Sequence, residues 1–120
     1  MKRTGPSNAV LKELILALEK ASKKEDAPIW ADVAYELSKC ARKRVGVNVG
    51  RIAKHAGEGD TVLVPGKVLG IGKIDKKVTV AAWAFSASAK AKIGAAGGRT
   101  FDILDLLNEN PKGSGVKIMK

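Results

Sequence analysis

The stretch VPGKVLGIGKIDKKVTVAA, residues 64–82, sets Pro65, Gly66, Gly70 and Gly72 among Lys67, Lys73, Lys76 and Lys77. Those residue types suit one chemistry above others, the holding of a phosphate. Glycine lets backbone approach an anion closely, and lysine ammonium groups offset its charge. A nucleotide phosphate would make the chain an enzyme, and a nucleic-acid phosphate would make it a binding protein. A P-loop needs Gly, four residues, then Gly-Lys-Ser/Thr. With Gly72-Lys73 at the end of that motif, Lys67 stands where the first glycine belongs and Ile74 replaces the hydroxyl residue. A dinucleotide fingerprint fails as well, because GIG is followed by Lys73, Ile74 and Asp75 and not by a glycine opening a helix. Paired carboxylates for acid–base work, a Gly-x-Ser-x-Gly elbow and an H-E-x-x-H helix are absent from the sequence. Cys40 and His55 are the only residues of their kind, too few for a zinc site or a disulfide framework. No catalytic residue, metal or cofactor is implied, and no small-molecule substrate.

Charge points to the other phosphate. Lys and Arg number 22 against 12 Asp and Glu, a net charge of +10 on 120 residues. An excess of that size attracts polyanions. It is concentrated in KCARKRVGVNVGRIAKH, which carries Lys39, Arg42, Lys43, Arg44, Arg51 and Lys54 with no acid between them. A solvated helix face normally interleaves both signs, as residues 8–38 do. Aromatic residues make up only 4% of the chain, which favours reading of backbone and shape over base stacking. No apolar run is long enough to span a bilayer, so no membrane partner is expected and the protein reads as cytoplasmic.

These residues must be positioned by a single domain, read as 8–120 after a basic arm at 1–7, with a helical part over 8–57 and a mixed part over 60–120. A first helix begins at Ser7 or Asn8, with Val10, Leu11, Leu14, Ile15 and Leu18 at helical spacing. Asp26 and Pro28 start a second, whose apolar stripe is Trp30, Val33, Ala34, Leu37 and Ala41. Gly46 suggests a loop, and Asn48 caps a short third helix through Ile52 to Ala56, on which Arg51 and Lys54 share a face. Strands follow at TVLVP (61–65) and at VTVAAWAF (78–85), the second apolar on both faces. Ser86 caps a helix ended by Gly97 and Gly98. Thr100 caps another, with Asp102 in its first turn and Pro111 beyond its end, and GVKIMK alternates as a last strand.

The segments RVGVNVGRIAKHA, VPGKVLGIGKIDKKVTVAAWAFSASAKAKIGAAGG and NPKGSGVKIMK, in that order along the chain, resemble the e-type L18 family of archaeal and eukaryotic large-subunit ribosomal proteins. The part from Phe85 to Gly98 is similar also to bacterial L15. The resemblance covers nearly the whole chain, and the absence of a long basic tail after Lys120 is an archaeal trait within the family. It implies an α/β protein with N-terminal helices before an irregular, layered strand-and-helix core. It implies a structural constituent of the large subunit that binds large-subunit rRNA, meets neighbouring ribosomal proteins and catalyses nothing. Carried onto this sequence, the RNA-facing candidates are Lys39, Arg42, Lys43, Arg44, Asn48, Arg51 and Lys54, and Gly66, Lys67, Gly70, Gly72 and Lys73 in the loop 66–73. The glycines are expected either to let backbone approach RNA or to adopt positive φ. A basic RNA- or DNA-binding protein outside the ribosome is the alternative.

Overall fold

The computed structural model describes residues 9–39 and 45–120. The arm 1–7, the caps expected at Ser7 and Asn8, and Cys40, Ala41, Arg42, Lys43 and Arg44 lie outside the described residues. The elements run α1 (Ala9–Lys24), α2 (Pro28–Ser38), β1 (Val45–Asn48), α3 (Val49–His55), β2 (Thr61–Leu69), β3 (Thr79–Phe85), α4 (Ala87–Ala95), β4 (Arg99–Asp102), α5 (Ile103–Glu109) and β5 (Val116–Ile118). All strand pairs are parallel. The order is β1-β2-β3-β4, with β5 also paired to β2. Because β3 pairs β2 from Thr61 to Val68, β5 and β1 share the other edge, β5 along Thr61–Leu63 and β1 along Gly66–Leu69.

A parallel sheet must be covered on both faces, and the period of two sends alternate side chains to separate cores. Leu63 and Ala81 face one side, where they meet Leu11, Leu14 and Leu18 of α1, Trp30, Val33 and Leu37 of α2, and Ile103, Leu106 and Leu107 of α5. Val62, Val64, Val68, Val80 and Ala82 face the other, against Val49 and Ile52 of α3 and Ala89 and Ile93 of α4. The fold is therefore an α/β protein of three layers. Trp30 is fully buried, and its indole N–H donates to the Pro111 carbonyl at 2.6 Å, which ties α2 to the segment before β5.

Several local expectations need correction. Gly46 lies inside β1, because the short β5 leaves half an edge of β2 unpaired and residues 45–48 take it. β2 does not stop at Pro65. Its register against β3 shifts between Val64 and Lys67, and this irregularity absorbs a proline that cannot donate to the ladder. Gly66 and Lys67 are thus strand residues. Thr100 is in β4, paired with Val80, and Asp102 is the N-cap of α5, though its side chain makes no capping bond. Val10 is 64% exposed, off the buried stripe of α1. Asp26 sits in the turn before α2 with φ +52°, a conformation aspartate tolerates, and Ala27 is the N-cap. Ser86 does cap α4, its hydroxyl accepting from Ala89 N–H at 3.2 Å.

The C-terminal residue is fastened to α2 by charge. Glu36 is buried, and its carboxylate meets Lys39 Nζ at 2.9 Å and Lys120 Nζ at 3.4 Å, while Lys120 also donates to Asp32 at 3.0 Å. The hydrogen bond from Lys39, then that from Lys120, hold the Glu36 carboxyl below the usual carboxylate range against its burial. A carboxyl depressed in the folded state stabilises above its unfolded pKa, and that contribution vanishes as pH falls through the folded value. Glu36→Gln is therefore expected to lower Tm clearly at pH 7 and far less near pH 2. An equal loss at both pH values would show that the pair does not stabilise the fold.

Candidate nucleic-acid interface

In a parallel sheet every strand delivers its carboxyl end to the same edge, and the chain must return to the opposite edge before the next strand. Helices α3, α4 and α5 make three of those returns. Between β2 and β3 only residues 70–78 are available, below the dozen or so that a helical crossover takes. The return must cover the length of β3, about 20 Å. Ten residue steps from Leu69 to Thr79 rise only about 15 Å as helix, but reach about 34 Å extended. The connection is therefore extended, and it runs between α3 and α4. The glycines and lysines that open the sequence reading line this passage.

Their contacts are internal. Gly50 N–H, in the first turn of α3, donates to Ile71 O at 3.0 Å. Gly72 has φ +97°, and a Cβ on it would stand 2.6 Å from Gly50 Cα. A Cβ on Gly70 would stand 2.7 Å from Ser88 Cβ and 3.0 Å from Ala89 N in α4. Lys92 of α4 reaches over the crossover and donates to the carbonyls of Gly70 (2.5 Å) and Gly72 (2.8 Å). Lys76 donates to Ala53 O (2.8 Å) and Ala56 O (3.0 Å), satisfying carbonyls at the end of α3 that no helical amide reaches. Ile74 packs into the core beneath. Of the two roles expected for the glycines, Gly72 takes positive φ, and both Gly70 and Gly72 accommodate close approach by this protein's own helices. Gly66 is buried within β2.

The basic candidates divide by what surrounds them. Arg51 and Lys54 are exposed on α3, three residues apart, with no ion-pair partner among the described residues. Lys73 is exposed on the crossover beside α3 and α4. Lys67 is exposed between buried Gly66 and Val68, and the strand period sends it to the sheet face opposite Val68, away from the α3 layer. Lys39 is held by Glu36, with its ammonium 5.4 Å from the centre of the Tyr35 ring. Asn48 stands at the N-cap of α3 without a side-chain capping bond, and its Oδ1 is buried with no partner among the described residues. Arg42, Lys43 and Arg44 lie outside the described residues, immediately before β1.

Sequence reasoning missed two groups. Lys76, read from sequence as one of the loop's phosphate-facing cations, and Lys92 instead donate to carbonyls that only the tertiary fold brings to them. His55 and Lys117 join Arg51 around a shallow depression between α3 and β5, floored by Met119. Lys117 is paired with Asp60 at 2.8 Å. That bond and a second from Gly57 N–H depress the Asp60 carboxyl. Parallel pairing of β5 with β2 places Lys117 there, and no local pattern announces it.

The crossover geometry separates strain from clash. Gly59 also has positive φ (+83°), but nothing lies within 4 Å of a Cβ built on it. Gly59→Ala is expected to cost roughly 1 kcal/mol, the penalty of a side chain in that conformation. Gly72→Ala adds a clash with α3 and is expected to cost about 2–4 kcal/mol in the isolated protein. Denaturant unfolding of both variants measures the difference. Equal losses would mean that the contact of Gly72 with Gly50 is not tight.

Comparison with known proteins extends from this part of the chain to nearly all of it. Residues 46–100, from β1 through the crossover and α4 into β4, match the family described as ribosomal proteins 50S-L15, 50S-L18e and 60S-L27A. The chain is 52% identical over 119 residues to large ribosomal subunit protein eL18 of Methanococcus maripaludis, covering 99% of both chains. It is 49% identical over 122 residues to the eL18 of Methanopyrus kandleri, covering 98% of this chain and 96% of the relative. The eL18 of Archaeoglobus fulgidus is 46% identical over 119 residues, with 99% of each chain covered. Such identity extends through α1, α2 and α5 as well as the segment carrying the crossover, and the chain belongs to the eL18 family of large ribosomal subunit proteins.

Proposed function

We propose that this chain is a structural constituent of the large ribosomal subunit that binds large-subunit rRNA and performs no catalysis. The observation that carries the reading is the outer face of α3. Arg51 and Lys54 are exposed there without acidic partners among the described residues, whereas Lys39, Lys117 and Lys120 each face a carboxylate. Cations left unpaired in a chain of net charge +10 are the groups that can release counterions from RNA phosphates. Arg42, Lys43 and Arg44, just before β1, extend the same basic run in sequence, and Lys73 adds to it from the crossover. Lys67, on the other sheet face, stands apart from this cluster. Phosphate contacts of this kind position the protein on folded RNA by shape. Neighbouring ribosomal proteins complete its surroundings. No helix among the described residues is long and apolar enough to cross a membrane.

Binding to large-subunit rRNA fragments measured across a salt series tests this. About five phosphate contacts give a slope of log K against log salt near −4.5 on duplex RNA. Arg51→Ala with Lys54→Ala is expected to flatten that slope by up to about 1.8, with Tm unchanged. A salt-independent affinity, or a double variant that binds as the parent does, would overturn the assignment of this face. Equal affinity for any RNA of similar length would favour a general nucleic-acid binder over a ribosomal constituent.

A further inference from the structure

On the opposite side of the sheet from α3, a groove of about 390 Å³ runs between α1 and the start of α5. Its walls are apolar and include Val10, Leu14, Trp83 and Leu104. Val10 is 64% and Leu104 45% exposed, large side chains left facing water at the groove mouth. The charged residues in its lining are Glu13 and Asp102, both acids, and no base lines it among the described residues. Asp102 also borders an adjoining depression that holds Lys90. Asp105 is exposed one turn further along α5. In a chain of net charge +10 this is the reverse of the general balance. The Asp102 carboxylate stands at the N-cap of α5 without making the capping bond, and it makes no ion pair among the described residues.

An acidic rim repels phosphate, so this face is unsuited to RNA. Apolar walls with carboxylates at the mouth suit side chains that alternate between apolar and cationic. We propose that this groove seats an extended basic segment of a neighbouring protein in the same particle, its apolar side chains against Trp83 and Leu104 and its lysines or arginines on Glu13 and Asp102. The inference rests on the ribosomal reading for the presence of such neighbours, and on the groove alone for the chemistry. The two sheet faces then have different partners, RNA on the α3 side and protein on the α1–α5 side.

The test uses assembled large subunits carrying this chain with a photo-crosslinking amino acid in place of Leu104, and separately in place of Val10 on the facing wall. Both positions are exposed, so neither change disturbs the core. After irradiation, mass spectrometry is expected to find the same partner peptide from both positions, rich in Lys or Arg and belonging to another protein of the subunit. Glu13→Gln with Asp102→Asn, added to the Leu104 probe, is expected to cut that crosslink about fivefold, while rRNA-fragment affinity of the isolated protein changes less than twofold. Crosslinks to rRNA, to a second copy of this chain or to its own residues 1–8 would overturn the proposal. So would the absence of any crosslink, or a yield unaffected by neutralising the two acids. Loss of rRNA affinity in the parent protein would instead count against the ribosomal RNA-binding reading and leave the groove result standing.

Discussion

The parallel sense of all the strands governs this structure. It requires cover on both faces, and it turns each connection into a return journey across the sheet. Three returns have a helix. The fourth, nine residues long between β2 and β3, is too short for one and must lie extended in the layer between α3 and α4. An extended chain squeezed between helices cannot carry side chains at its closest points, and its carbonyls need donors. Glycines at 70 and 72 meet the first demand. Lys92 and the Gly50 amide meet much of the second, and Lys76 in turn closes the end of α3. Because the same contacts fix α3 and α4, the orientation of Arg51 and Lys54 depends on the crossover.

This gives the lysines of one basic chain two distinct physical roles. Lys76 and Lys92 donate to backbone carbonyls within the fold, and Lys39, Lys117 and Lys120 are matched to carboxylates. Arg51 and Lys54 are matched to nothing among the described residues, and so retain charge for an external anion. Net charge therefore overstates the cations open to a polyanion, since Lys39, Lys117 and Lys120 already face carboxylates. In the α1–α5 groove the lining charges are the acids Glu13 and Asp102, which make no ion pair among the described residues.

How much could be read from residues alone follows from the range of the forces involved. α1, α2 and α4 were legible because period, Pro28 and the Ser86 cap are local signals. β3 was legible as a strand because its run is apolar on both faces after Thr79. β1 and the second half of β2 were not. Gly46 and the Pro65–Gly66 pair read locally as breaks, and only pairing between distant strands, with a register shift at the proline, overrides them. Thr100 was misread for the same reason, since pairing with Val80 draws it into β4. Among the site candidates, Arg51 and Lys54 sit together on one exposed face as the three-residue spacing requires. Lys39 has an ion-pair partner three residues away that sequence could have suggested, while Lys67 is separated from the others by the sheet itself. Within the glycine–lysine motif, Gly70 and Gly72 sit at close approaches to this protein's own α4 and α3, contacts that the local sequence does not announce.

A density map of a large ribosomal subunit containing this chain tests the central claim most directly. The expected result is rRNA phosphate oxygens within about 3 Å of the Arg51 and Lys54 head groups, with Gly72 still seated on Gly50 and Lys92 still on the carbonyls of Gly70 and Gly72. A map in which the backbone at 70–72 leaves α3 to bind phosphate, or in which Arg51 and Lys54 face solvent, would contradict it.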